Sequence, residues 1–144
     1  MQAIHSFEQG QASMVGFGIR VLLISQDNAE NPHRRKLAGL GSLVEATDDL
    51  FLGLEAVIED PAGYGLCVID CDAIGGLDAG RRAFAMLGDI PRRVPVILIS
   101  SECQTQQFPE DRISPVMLRA PLSSLSMRVG FEHALRERLM RLIA

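Results

Sequence analysis

Asp70 stands at the end of the apolar run Leu66 to Ile69 and is followed by the glycine-containing stretch CDAIGGLDAG. A carboxylate carried from a buried strand into a loop can attack a phosphoryl group, hold a cation or cap the strand end. Residues able to work with it recur where other apolar runs stop. Ser25, Gln26 and Asp27 follow the first run, Asp72 lies two residues beyond Asp70, and Ser100 closes VPVILIS. A hydroxyl such as Ser100 would hydrogen-bond an acid or a group bonded to it, and acids such as Asp27 and Asp72 would attract Mg²⁺. Zinc chemistry is not supported. Cys67 and Cys71 have no second pair, and His5, His33 and His133 are scattered.

These groups converge only if the elements before them lie side by side. Residues 1–18 show no sustained period and read as a loosely held leader, with 19–144 forming one domain. Ile19 to Ser25 has strand composition, and Asn31 with Pro32 supplies a helix cap and first turn for His33 to Leu40. Ser42 to Ala46 is a second strand. Thr47, Asp48 and Asp49 then cap a helix whose expected inner face is Leu50, Phe51, Leu54, Val57 and Ile58. Gly65 to Asp70 and Val94 to Ser100 are too uniformly apolar for a sheet with a wet face, and Leu77 to Leu87 links them as a helix with Phe84 and Leu87 inward. A short helix over Glu102 to Phe108 is expected next, then a strand over Pro115 to Leu118. The final helix runs from Ser123 or Ser124 to about Ile143, with Leu125, Val129, Leu135, Leu139 and Leu142 as its stripe.

Five strands alternating with five helices predict an α/β fold: a doubly wound five-stranded parallel sheet, order 2-1-3-4-5, with helices on both faces. That order gathers Ser25, Gln26, Asp27, Asp70, Ser100 and the Arg119 to Pro121 segment around one mouth, at the carboxyl ends of the strands.

The 144 residues, 47% hydrophobic and 22% charged, suit one core. No apolar stretch approaches the roughly 20 residues that span a bilayer, and no secretory signal opens the chain, so a cytoplasmic protein without membrane contact is expected. A net charge of −4 disfavours nucleic acid as a partner. The arginine groups at Arg34 and Arg35, Arg81 and Arg82, and Arg92 and Arg93 read as solvated faces.

With the motifs VLLISQD, VIDCDAIGGLDAG, PVILISS and MLRAPL in order, residues 19 to about 140 resemble the receiver domain of bacterial two-component response regulators, a flavodoxin-like (CheY-like) fold. The resemblance implies phosphoryl transfer to Asp70, with Ser100 in the switch-hydroxyl position and Mg²⁺ offsetting the phosphate charge. It also exposes departures. Ser25 and Gln26 stand where the family has an acidic pair, leaving Asp27, Asp70 and Asp72 as weak Mg²⁺ candidates. Ala120 precedes Pro121 where the family has lysine, and Lys36 is the only lysine in the chain. Met117 stands at the family's aromatic switch position, and the only tyrosine is Tyr64.

The expectation is a degenerate pseudo-receiver: a signalling module that binds a protein partner or dimerises, is not an enzyme and uses no cofactor. The homodimer face would comprise the last strand and last two helices, with Met127, Phe131 and Met140 adding apolar surface. Two alternatives stay open. One is a working receiver phosphorylated on Asp70 by a histidine kinase with Mg²⁺. The other is a mononucleotide- or flavin-binding protein, although ISQDNAENPH after the first strand has no glycine to cradle phosphate.

Overall fold

The computed structural model of the chain describes residues 14–137. The leader before residue 14, the expected stripe residues Leu139 and Leu142, Met140, and the helix end near Ile143 lie outside the described residues. Strands β1 (Arg20–Ile24), β2 (Leu43–Thr47), β3 (Leu66–Asp70), β4 (Val96–Ser100) and β5 (Val116–Arg119) form one parallel sheet in the order β2-β1-β3-β4-β5. The predicted order is therefore present. Helices α1 (Pro32–Gly39), α2 (Leu50–Glu59), α3 (Leu77–Met86) and α4 (Ser124–Ala134) cover both faces.

Side-chain alternation divides the core in two. Val21, Leu23, Leu66, Val68, Ile97, Ile99 and Leu118 pack with Leu37 of α1 and Met127 and Phe131 of α4. Leu22, Ile24, Cys67, Ile69, Val96 and Leu98 pack with Leu54 and Val57 of α2 and Ala83 beside α3's end at Leu87. Both faces of β3 and β4 are thus covered, which is why their sequences are apolar without alternation. Leu87 is buried as expected, and Phe84 is partly buried.

Three expected features are corrected. No helix forms over Glu102 to Phe108; the segment is irregular, and Gln107 makes an antiparallel bridge with Met117 of β5. Its Gln-rich sequence offers no apolar stripe to hold a helix on the sheet, whereas the bridge satisfies backbone groups on the edge strand. On α2, Phe51 and Ile58 are exposed, and Gly53, Leu54 and Val57 face inward. On α4, Leu125 and Val129 are exposed, while Met127 and Phe131, assigned from sequence to an outer surface, are fully buried. In both helices a glycine fixes the rotation. A Cβ on Gly53 would lie 2.7 Å from Ile24 Cγ1, and one on Gly130 would lie 2.8 Å from Leu118 Cδ1, so these helices approach the sheet through a residue that carries no hydrophobic signal.

Candidate functional site

Strands β1, β3 and β4 deliver Ser25, Asp70 and Ser100 to the same edge of the sheet. The Asp70 side chain is only 14% exposed there. Ser25 donates its hydroxyl proton to Asp70 Oδ2 at 2.7 Å. Asn31 Nδ2 in turn donates to Ser25 Oγ and to the Gln26 carbonyl, both at 2.8 Å. Asn31 Oδ1 accepts from the His33 and Arg34 N–H groups at 2.9 and 3.2 Å, so the residue that caps α1 also anchors the site. Pro32 starts the helix as expected.

His33 completes this side of the site. Its Nε2 lies 3.6 Å from Asp70 Oδ2, and its side chain is 10% exposed. Its Nδ1 is buried without a hydrogen-bond partner among the described residues. The neutral tautomer with its proton on Nε2 fits this geometry best, because it turns an N–H toward the carboxylate and leaves only a lone pair unmatched. Protonating Nδ1 would bury an unpaired donor. Burial accordingly pushes the His33 pKa below its ordinary 6.5. The Lys36 charge acts in the same direction, while Asp70 and Asp72 oppose it.

Ser100 works on the other side. Strand alternation puts it on the α2 and α3 face, in phase with Val96 and Leu98, whereas Asp70 is in phase with Leu66 and Val68 on the α1 and α4 face. Its hydroxyl donates to Asp72 Oδ1 at 2.8 Å and accepts the Glu102 N–H at 3.0 Å. Asp72 Oδ2 accepts the Ser101 N–H at 2.9 Å. Burial pushes the Asp72 carboxyl up, but the Ser101 N–H and the serine hydroxyls outweigh it and hold the group below its usual range. Glu102 Oε1 then accepts the Leu77 N–H at 3.2 Å, capping α3 from a different loop. Gly75 and Gly76, with φ of 116° and 111°, supply the turn that brings α3 within its reach.

The edge therefore holds two separate networks: Asn31, Ser25, Asp70 and His33 on one side, and Asp72, Ser100 and Glu102 on the other. Asp27 joins neither; it is exposed and pairs with Arg34 at 3.2 Å. Gln26 is also exposed, and the contact it makes to Asn31 is through its carbonyl. Arg119 donates to the Gln104 carbonyl at 3.3 Å, turned toward the β4–β5 loop.

A resident Mg²⁺ does not fit these donors. The metal prefers carboxylates and keeps rigid octahedral geometry. Here Asp70 Oδ2 already accepts the Ser25 hydroxyl proton, the Asn31 amide is spent on Ser25 Oγ and the Gln26 carbonyl, and both Asp72 oxygens accept hydrogen bonds. Among the described residues, no group of three or more His, Cys, Asp or Glu side chains is placed to hold a metal ion.

Sequence reasoning assigned Asn31 and His33 to a helix start and did not bring them to Asp70. The signal was available in the topology. A helix that follows β1 begins at the carboxyl edge of the sheet, so polar residues in its cap and first turn face the mouth.

No family model matches the chain, and no curated protein matches it in sequence. Solved structures share its fold. The response regulator PhyR from Brucella abortus superposes with a TM-score of 0.59 at 16% identity, over 99% of this chain and 57% of PhyR. The chain thus spans little more than half the length of that protein. The receiver domain of the histidine kinase CKI1 from Arabidopsis thaliana, complexed with Mg²⁺ and BeF₃⁻, superposes with a TM-score of 0.56 at 20% identity, over 84% of this chain and 93% of that domain. The chain has the flavodoxin-like fold of receiver domains, with Asp70 at the carboxyl edge of its central strand. Among the described residues, no helix is long and apolar enough to cross a membrane.

Proposed function

We propose that this chain is a degenerate receiver-like domain of a two-component or phosphorelay system, acting through protein contacts without regulated phosphorylation. The observation that carries this reading is the hydrogen bond from Ser25 to Asp70, which replaces an acid and a metal with a hydroxyl. Ser25 and His33 approach the Asp70 carboxylate from within the chain, so it serves to join β1, β3 and α1. The partner is a signalling protein or a second copy of the chain. The contact surface uses the outer face of α4, where Leu125 and Val129 are exposed, rather than the two-helix face expected from sequence.

A second reading is a working receiver phosphorylated on Asp70 by a histidine kinase. The observation favouring it is that Asp70 and Ser100 end adjacent strands at one edge, with the CKI1 domain, bound to Mg²⁺ and BeF₃⁻, as a structural neighbour. Incubation with a small acyl phosphate donor and Mg²⁺, followed by intact-mass measurement, separates the two. The first reading predicts an unchanged mass. A phosphate adduct that is absent in Asp70→Asn would contradict it and establish the second.

A further inference from the structure

The opposite edge of the sheet carries a basic cavity. It has a volume of about 380 Å³, with Gly65 before β3 and Pro95 before β4 in its wall. Among the described residues, four arginines line it, Arg92, Arg93, Arg112 and Arg136, against a single acid, Glu137. This concentration of positive charge contrasts with a chain whose net charge is −4.

The guanidinium groups differ in how far they are compensated. Arg112 pairs with Glu137 at 2.9 Å. Arg136 is fixed by neutral acceptors, donating to the carbonyls of His133, Glu110 and Asp111 at 2.7, 2.6 and 3.3 Å. Arg92 has only a 3.9 Å approach to Asp89, whose side chain is 98% exposed. Arg93 makes no ion pair among the described residues. Three of the lining arginines, Arg92, Arg93 and Arg136, thus have little counter-charge, and Arg136 is already held in place.

The irregular segment after β4 contributes one wall residue, Arg112. The irregular β4–β5 loop runs back along β5, places Arg112 at this edge, and is tied to α4 where His133 Nε2 meets the Pro109 carbonyl at 2.6 Å. The Arg92 and Arg93 pair, exposed as the sequence reading expected, sits in the turn before β4 and lines the same space.

We propose that this cavity binds a small molecule bearing a multiply charged oxyanion, a phosphate ester or a polycarboxylate. Guanidinium forks match the paired oxygens of both groups, and the volume lies within the range of small-ligand pockets. The site is remote from Asp70 and stands whether or not Asp70 accepts phosphate.

The test is an NMR titration of the whole chain, reading arginine side-chain N–H and backbone amide signals, with inorganic pyrophosphate and citrate as probes. Saturable shifts confined to the cavity are expected. The double variant Arg92→Gln, Arg93→Gln should weaken binding at least about tenfold, the loss expected for hydrogen bonds to charged groups. Both substituted side chains are exposed, so the fold should persist, and Asp70→Asn should bind as the wild type does. Tighter pyrophosphate binding identifies a phosphate ester; tighter citrate binding identifies a polycarboxylate. Non-saturable shifts, equal affinity in the double variant, or binding of polyglutamate in preference to both probes would overturn the proposal.

Discussion

His33 lies buried against the Asp70 carboxylate. A buried imidazole 3.6 Å from a carboxylate would ordinarily be read as an ion pair, yet its unmatched Nδ1 and its burial favour the neutral form. Because folding lowers its pKa, the unfolded chain binds the proton more readily. The stability His33 confers is therefore complete above 6.5 and is lost as pH falls below that value toward the folded-state pKa. Denaturant midpoints compared between pH 7.5 and 5.5 should fall for the wild type and fall less for His33→Gln; equal losses in both would contradict this assignment. The depressed pKa of Asp72 belongs to a lower window, since its contribution is present above 3.8 and is lost only below it. Ser25, Asp70 and Ser100 were legible as strand-end residues, because each closes an apolar run. Their partners were not, because the face a strand-end side chain takes depends on a register that one sequence does not fix.

At the scale of elements, the parallel sheet followed from the alternation of apolar runs with capped helical segments, but helix rotation did not. Phe51, Ile58, Leu125 and Val129 carry the apolar signal, whereas Gly53 and Gly130 set the approach. Helix α3 follows the same rule. A Cβ on Gly80 would lie 2.1 Å from Cys71 Sγ and 3.0 Å from its Cβ, inside a fully buried contact. Alanine improves helix propensity by up to about 1 kcal/mol, but overpacking a filled core costs about 1–3 kcal/mol. Gly80→Ala should thus destabilise the fold, by up to about 2 kcal/mol, in a denaturation curve. A stabilised variant would show that α3 can move off the sheet freely. The missing fourth helix has a different cause. The bridge between Gln107 and Met117 and the ties from Arg136 to the loop are tertiary contacts, invisible to local pattern.

For the whole molecule, the sheet separates two edges of different character. One carries two polar networks; the other carries an arginine-lined cavity. Between them the core is dry enough to silence its thiols. Burial pushes Cys67 and Cys71 up to about 12 and raises Cys103 as well, and all three are free. A thiol reacts through its thiolate. Alkylation of the native chain at pH 8 should consequently be slow and become rapid in denaturant, as followed by mass spectrometry; rapid labelling of Cys67 without denaturant would contradict the packing of β3.

In the proposed function, Ser25, Asn31 and His33 have taken over the space around Asp70 that a metal and phosphoryl group would need. The most direct measurement is a two-dimensional amide NMR titration with Mg²⁺ followed by beryllofluoride, a mimic of the aspartyl phosphate. Spectra that stay essentially unchanged at Asp70, Ser100 and α4 are expected. Saturable shifts that begin at Asp70 and spread through Ser100 into α4 would contradict it, and would make this chain a working phosphoreceiver.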